Sequence, residues 1–344
     1  MRKVGVAARA LVCGLALSGD VPPALPRDVR PTVLRLSNAG LTLGIVPALG
    51  GRIVELRAAG SENLLDADPR FWREPFPPAD LRTPFESWNG HTYWVGPQSA
   101  WWTQQDLDPD RLRAKATWPP DPFHETARYE VRESSRTKAR LESPLSPITG
   151  LRRQLEVELV DARRVRVRVV ASNGRTTPVA WSIYSNTRVR PDGWAYVRLA
   201  PNGISRIEGP RDGSAYPHLV VRGFFASPPG VKAPRARTPL TADVFLRPAE
   251  PQIAYFRGHQ VVLKRTESLR EARLHPEETP VEIYRSSGGP SDGPLLELEM
   301  HGPYETLQPG QAMSFEETWE ILDYRGAGGP EAHVDFLARR AAAR

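Results

Sequence analysis

Cysteine is almost absent from this chain. Cys13 is the single one in 344 residues, so no internal disulfide can form and no multi-cysteine metal centre can be built. Methionine is nearly as scarce, at three. No apolar run approaches the length of a membrane-spanning helix, so no stable span is expected. The excess of positive charge is small, a formal +6, and Arg2, Lys3 and Arg9 supply three of those charges. The other arginines are scattered among Asp and Glu. Without a basic stripe or a recognisable motif, a nucleic-acid partner is not expected. No P-loop, dinucleotide glycine motif or nucleophile-elbow serine occurs. His124, His218, His259, His275 and His333 are dispersed and none has zinc-ligand spacing. Asp106, Asp108 and Asp110 alternate but lack the glycine and terminal glutamate of a calcium loop. The expected inventory therefore contains no cofactor and no metal.

Proline and glycine are plentiful, at 35 and 27 residues. A chain that turns this often favours many short strands over long helices. Hydrophobic residues make up 40% and charged residues 25%, enough apolar mass for a large core in one domain. The N-terminus has the form of an export signal over residues 1–19: Arg2 and Lys3, then an apolar run from Ala10 to Leu17. Residues 20–31, with Pro22, Pro23, Pro26 and Pro31, read as a linker. The expected location is exported, periplasmic or extracellular; loss of the signal would leave a mature chain with no cysteine.

From residue 32 the pattern is that of strands. Leu41–Val46 alternates, Pro47–Gly51 turns, and Arg52–Leu56 follows. Arg128–Glu133, Lys138–Glu142, Leu151–Leu159 and Val165–Ala171 continue with period two. Val165-Arg166-Val167-Arg168-Val169 places Val on one face and Arg on the other, as in a sheet with one wet face. Further strands are read at Ala180–Tyr184, Leu219–Phe225, Ala242–Leu246, Val261–Lys264, Val281–Tyr284, Leu295–Met300 and Phe315–Leu322. Helical signals are confined to Asp110–Ala116 and to Val334–Arg344 in a tail over residues 325–344. Residues 227–239 read as a surface loop. The expected fold is all-β, a large antiparallel sandwich over residues 32–324.

The segment Asn89–Trp102 concentrates His91, Tyr93, Trp94, Gln98, Trp101 and Trp102. Indoles beside amide and imidazole groups suit a sugar, whose C–H faces lie on rings while its hydroxyls meet polar groups. The same cluster also suits a core, or a hot spot for a protein partner.

The chain resembles galactose mutarotase-like domains at both ends. Leu34-x-Leu36-x-Asn38, then Pro47-x-Leu49-Gly50-Gly51-Arg52-Ile53 and Glu62-Asn63-Leu64-Leu65, are similar to their opening strands. Leu295 to Pro303, Leu307-x-Pro309-Gly310 and Glu317-x-Trp319-x-Ile321-Leu322 are similar to their close. With Gly90-His91 and Trp94-x-x-Pro97-Gln98, the pattern is most similar to an exported branch of that superfamily of unassigned function. The resemblance implies a distorted antiparallel β-super-sandwich with a sugar-facing groove. It also implies carbohydrate binding, with aldose 1-epimerase-like isomerase chemistry or a non-catalytic binding or scaffold role as alternatives. On the epimerase pattern Glu299 is the expected catalytic base and His91 the acid. Arg52, Tyr93, Trp94, Gln98, Trp101, Trp102, Asn186 and Glu297 are the expected substrate-binding residues. Asn186 stands where that pattern has a histidine, and an amide cannot serve as a proton donor of that kind.

Overall fold

A computed structural model describes residues 33–72, 79–209, 217–230, 241–288 and 293–343. The expected signal segment and linker, and most of the 227–239 loop, lie outside the described residues. Among them, no helix is long and apolar enough to cross a membrane.

The strands form two antiparallel sheets. The first runs β1 (Leu34–Ser37), β2 (Leu41–Val46), β3 (Arg52–Ala58), β4 (His91–Gly96), then β9 (Val179–Arg188), β17 (Leu295–His301), β16 (Val281–Ser286), β13 (Thr241–Pro248) and the latter part of β10 (Trp194–Glu208). The second runs β5 (Glu130–Ser134), β6 (Lys138–Glu142), β7 (Leu151–Leu159), β8 (Arg164–Asn173), β19 (Ala312–Asp323), β15 (Gln260–Thr266), β14 (Gln252–Arg257), then the start of β10, β12 (Phe224–Ser227) and β11 (Leu219–Val221). A short strand, β18 (Glu305–Leu307), pairs with the beginning of β9. Strand β10 passes from the second sheet to the first, with register shifts between Leu199 and Arg206.

Alternation explains most of these strands. In β8 Val165, Val167 and Val169 are buried and the arginines point to water, where Arg166 pairs with Glu158 and Arg168 lies 3.9 Å from Glu156 on β7. The expected strand Leu219–Phe225 is in fact the hairpin β11–β12, because Arg222 and Gly223 both adopt positive φ and turn the chain. Strand β4 does not alternate in sequence because both of its faces are buried.

The main core lies between the sheets and includes Leu43, Ile45, Ile53, Val157, Val165, Trp181 and Trp319, all buried. A second apolar layer covers the outside of the second sheet. There helix α3 (Pro330–Ala342) sets Val334 and Leu337 against Tyr196, Phe256, Leu263 and Leu322. Two short helices lie between β4 and β5. Helix α1 (Pro109–Ala114) is capped by Asp108, whose carboxylate accepts from Arg111 N–H, and Asp110 pairs with Arg113. Two of the three alternating aspartates thus have local work. Helix α2 (Pro122–Glu125) is capped by Asp121.

Candidate functional site

A cleft of about 580 Å³ opens on the face of the first sheet turned away from the second. Its floor follows from strand parity. Trp94 on β4 stands opposite Tyr184 on β9, which stands opposite His301 on β17. The next row runs Thr92, Asn186, Glu299, Glu282 and Phe245 across five strands. Beyond it come Arg188, Glu297, Tyr284 and Asp243. Successive residues of a strand point to opposite faces, so Glu297, Glu299 and His301 all share the cleft while Leu296, Leu298 and Met300 fill the core.

The floor is a buried acidic cluster. Asn186 donates through Nδ2 to Glu297 Oε2 and Glu299 Oε1, both at 2.7 Å, and so pins the two carboxylates together. Arg188 donates from Nε to the other oxygen of Glu297 at 2.6 Å. Glu299 faces Glu282 directly across β17 and β16. Burial, reinforced by the charges of Glu282 and Glu297, holds Glu299 well above the ordinary carboxylate range. Burial and Glu282 together push Asp243 up to about 9. His301 stacks on Tyr184 with ring centroids 4.6 Å apart. Its Nδ1 lies 3.6 Å from Glu278 Oε1 and its Nε2 3.5 Å from Glu282 Oε2. Burial disfavours the imidazolium, but these two carboxylates outweigh it and bring His301 up to about 9. Glu278 is held by Ser182, whose hydroxyl donates to it at 2.7 Å. It reaches the floor only because residue 96 is glycine: a Cβ there would lie 1.7 Å from Glu278 Oε1.

The wall is aromatic. Trp94 meets Trp101 and Tyr184 edge to face, at 5.5 and 6.0 Å. Trp118 packs on Phe85 at 4.5 Å and leaves 48% of itself exposed at the cleft rim. Trp94 is fixed from behind by a relay. Its indole N–H donates to Glu125 Oε1 at 2.7 Å, and the other Glu125 oxygen receives Arg52 at 2.7 Å. Helix α2 presses so closely on the Gly50-Gly51 turn that a Cβ on Gly50 would lie 2.3 Å from the His124 carbonyl, and Gly50 has φ +63°. The Gly-Gly-Arg motif of the sequence is therefore a seat for Glu125.

Several expectations need correction. His91 does not face Glu299. It lies on the core side of the first sheet, is 1% exposed, hydrogen-bonds Thr187 at 2.9 Å and packs edge-on against Trp319. Tyr93 shares that inner face beside Glu317. Arg52 is buried in its pair with Glu125 and lies behind the wall. Trp102 is fully buried, donating to the Pro119 carbonyl under Arg111, and Trp101 is nearly so, donating to the Val95 carbonyl. Glu299, Glu297, Trp94 and Gln98 do line the cleft, and Asn186, the cross-strand neighbour of Glu299, hydrogen-bonds both acids. His301, Glu282, Asp243, Tyr184 and Trp118 complete it. His301 was within reach of the sequence pattern, two residues beyond Glu299 on an alternating strand.

Solved structures share this architecture. The chain is similar to a galactose mutarotase related enzyme from Lactobacillus acidophilus, with 10% identity over 85% of this chain and 97% of that one, at a TM-score of 0.50. It is similar to a TPR-domain containing protein from Parabacteroides distasonis, with 13% identity over 86% of this chain and 48% of that one, also at 0.50. A galactose mutarotase-like protein from Lactobacillus casei has 10% identity over 85% and 100% of the two chains, at 0.48. No curated protein matches the sequence. The fold is thus the galactose mutarotase-like β-sandwich. Over residues 32–322, which carry both sheets and the whole cleft floor, the chain belongs to the family described as "Domain of unknown function (DUF4380)".

Proposed function

We propose that the cleft binds a carbohydrate and acts on it at the anomeric carbon, in the manner of an aldose 1-epimerase. The observation that carries this is one juxtaposition: an exposed indole, Trp118, at the rim of a floor in which Glu299 and His301 lie side by side on one strand. A pyranose lying on an aromatic face directs its hydroxyls away from the ring plane toward polar groups. The volume of about 580 Å³ accommodates a monosaccharide with room to spare.

In this reading Glu299 accepts the proton of the anomeric hydroxyl while His301 delivers one to the ring oxygen. The bond from C1 to the ring oxygen breaks and the C1 carbonyl forms. Rotation about C1–C2 and the reverse transfers close the ring on the other face. Asn186, tied to both carboxylates, positions Glu299 and gives no proton. His301 takes the role that the sequence reading gave to His91. The rival reading is a binding protein without catalysis.

The test is a thermal-shift panel of monosaccharides on the purified chain, followed by anomer-exchange NMR on whatever binds. A ligand at a hundred times its Kd should stabilise by about 2.7 kcal/mol. Exchange faster than buffer, lost in Glu299→Gln, is the expected result. Binding without exchange leaves the non-catalytic reading, and no binding across the panel overturns the proposal. An exported location is part of the same proposal and rests on residues 1–19; N-terminal sequencing from the native host should begin near residues 19–22.

A further inference from the structure

Glu282 and Glu299 are direct cross-strand partners on β16 and β17. Two like charges placed opposite each other destabilise a sheet, and here both lie in a largely buried floor with Asp243 close by. Arg188 does not relieve them, because its Nε is committed to Glu297. Beside them stands His301, 4% exposed, with neither ring nitrogen in a hydrogen bond. A buried imidazole whose nitrogens make no hydrogen bond, with only the carboxylates of Glu278 and Glu282 at 3.6 and 3.5 Å, is unusual, since buried polar groups are nearly always satisfied. Among the described residues, Glu282, Glu299 and His301 form the group of His, Cys, Asp and Glu side chains able to converge on one ion, each offering a donor atom within 4.8 Å of the others.

We propose that Glu282, Glu299 and His301 form a binding site for a divalent transition-metal ion such as Mn²⁺ or Zn²⁺. The donor set decides the class. Imidazole favours the transition ions over Mg²⁺ and Ca²⁺, and two carboxylates supply the charge that a dication requires. Bonds of about 2.1 Å place ligand atoms about 3–4.2 Å apart, so side-chain rotations of roughly an ångström close the present spacing. The open side of the site faces the cleft, where water or a ligand hydroxyl completes the coordination. His301 must bind through a neutral nitrogen, so loading releases its proton. One consequence rests on the proposed function: the ion takes both groups that the proton transfer uses. Metal loading and epimerase chemistry therefore exclude each other, and the ion acts as an inhibitor of that activity.

The experiment is titration of MnCl₂ and, separately, ZnCl₂ into the full chain after EDTA treatment and buffer exchange. Calorimetry is one readout; loss of the six-line aqueous Mn²⁺ EPR spectrum is the other. One ion per chain is expected, with affinity reduced at least tenfold in both Glu282→Gln and His301→Asn. Glu208→Gln, at the edge of the same cleft, serves as the control and should bind as wild type does. Thermal melts establish that each variant is folded; Glu282, the more accessible of the two, carries the test if His301→Asn does not fold. No stoichiometric binding, or binding unchanged in the Glu282 variant, overturns the inference. Sugar binding in EDTA separates the two proposals. A sugar that binds while no metal does removes the ion alone. A metal that binds while no sugar does, with or without EDTA, removes the proposed function alone.

Discussion

Lys264 Nζ lies 2.8 Å from Glu317 Oε1 in the core between the two sheets, with the side chains 2% and 0% exposed. Ser185 bridges them, accepting from Lys264 at 2.6 Å and donating to Glu317 at 2.6 Å. Lys264 also reaches the Leu298 carbonyl, and Trp319 donates to the far oxygen of Glu317. Ser185 and Leu298 immediately precede Asn186 and Glu299, so this network lies directly under the cleft floor. Burial lowers the Lys264 pKa, opposed by Glu317. Removing one partner strands the other charge, so Lys264→Met or Glu317→Gln alone should cost about 3–5 kcal/mol. The double variant should recover a large part of that loss. Urea unfolding of the four proteins measures the coupling; strictly additive losses would show that the two charges act independently.

The tryptophans divide by burial. Trp102→Ala empties a fully buried site and should destabilise by about 3–5 kcal/mol. Trp118→Ala removes a half-exposed ring and should cost under about 1.5 kcal/mol while weakening sugar binding at least tenfold. Thermal melts and ligand titration on the same preparations check both. Equal destabilisation by the two substitutions would contradict the assignment of Trp118 to the cleft rim.

Glu299 and His91 make a second contrast. Glu299→Gln should lower the anomer-exchange rate by about 10²–10⁴-fold with little loss of stability. His91→Asn should lower the melting temperature, because it disturbs the contacts with Thr187 and Trp319, yet leave the exchange rate of the folded protein within about twofold. A large rate loss in a fully folded His91 variant would return that residue to the mechanism.

Acid should weaken the packing of α3. His333 stacks on Phe256 at 4.1 Å and hydrogen-bonds the Tyr196 hydroxyl at 2.8 Å. Burial pushes its pKa down to about 4. Between about 6.5, the unfolded value, and about 4 the unfolded chain binds the extra proton. The stability contributed by neutral His333 is therefore present above pH 6.5 and is lost as the pH falls toward 4. The melting temperature of wild type should fall relative to His333→Phe over that window and run parallel to it above pH 7. A difference independent of pH would refute the assignment.

Where alternation was clean, the sequence was readable. In β8 each buried Val and exposed Arg is in the expected place, and the acids of β17 share one face as their spacing requires. Legibility failed where both faces of a strand are buried. His91, Tyr93, Trp94 and Val95 on β4 are all inside, so composition could not tell that Trp94 meets the cleft while the other three meet the core. That parity is set by pairing with β9, a contact about ninety residues away. Arg52 was a different failure: its partner Glu125 arrives on α2, and only the tertiary fold turns an arginine suited to a ligand into a brace for Trp94.

The parity of β17 also determines how such a site can change over evolutionary time. Exchange of Glu297, Glu299 or His301 rewrites the chemistry and leaves Leu298 and Met300 in the core. Insertion or deletion of one residue within the strand would do the reverse, carrying three ionisable groups inward and two apolar ones out. A change of two would restore the faces but slide the groups roughly 7 Å along the cleft. Relatives built on this strand should therefore diverge in the letters at these positions and hold the reading frame between them.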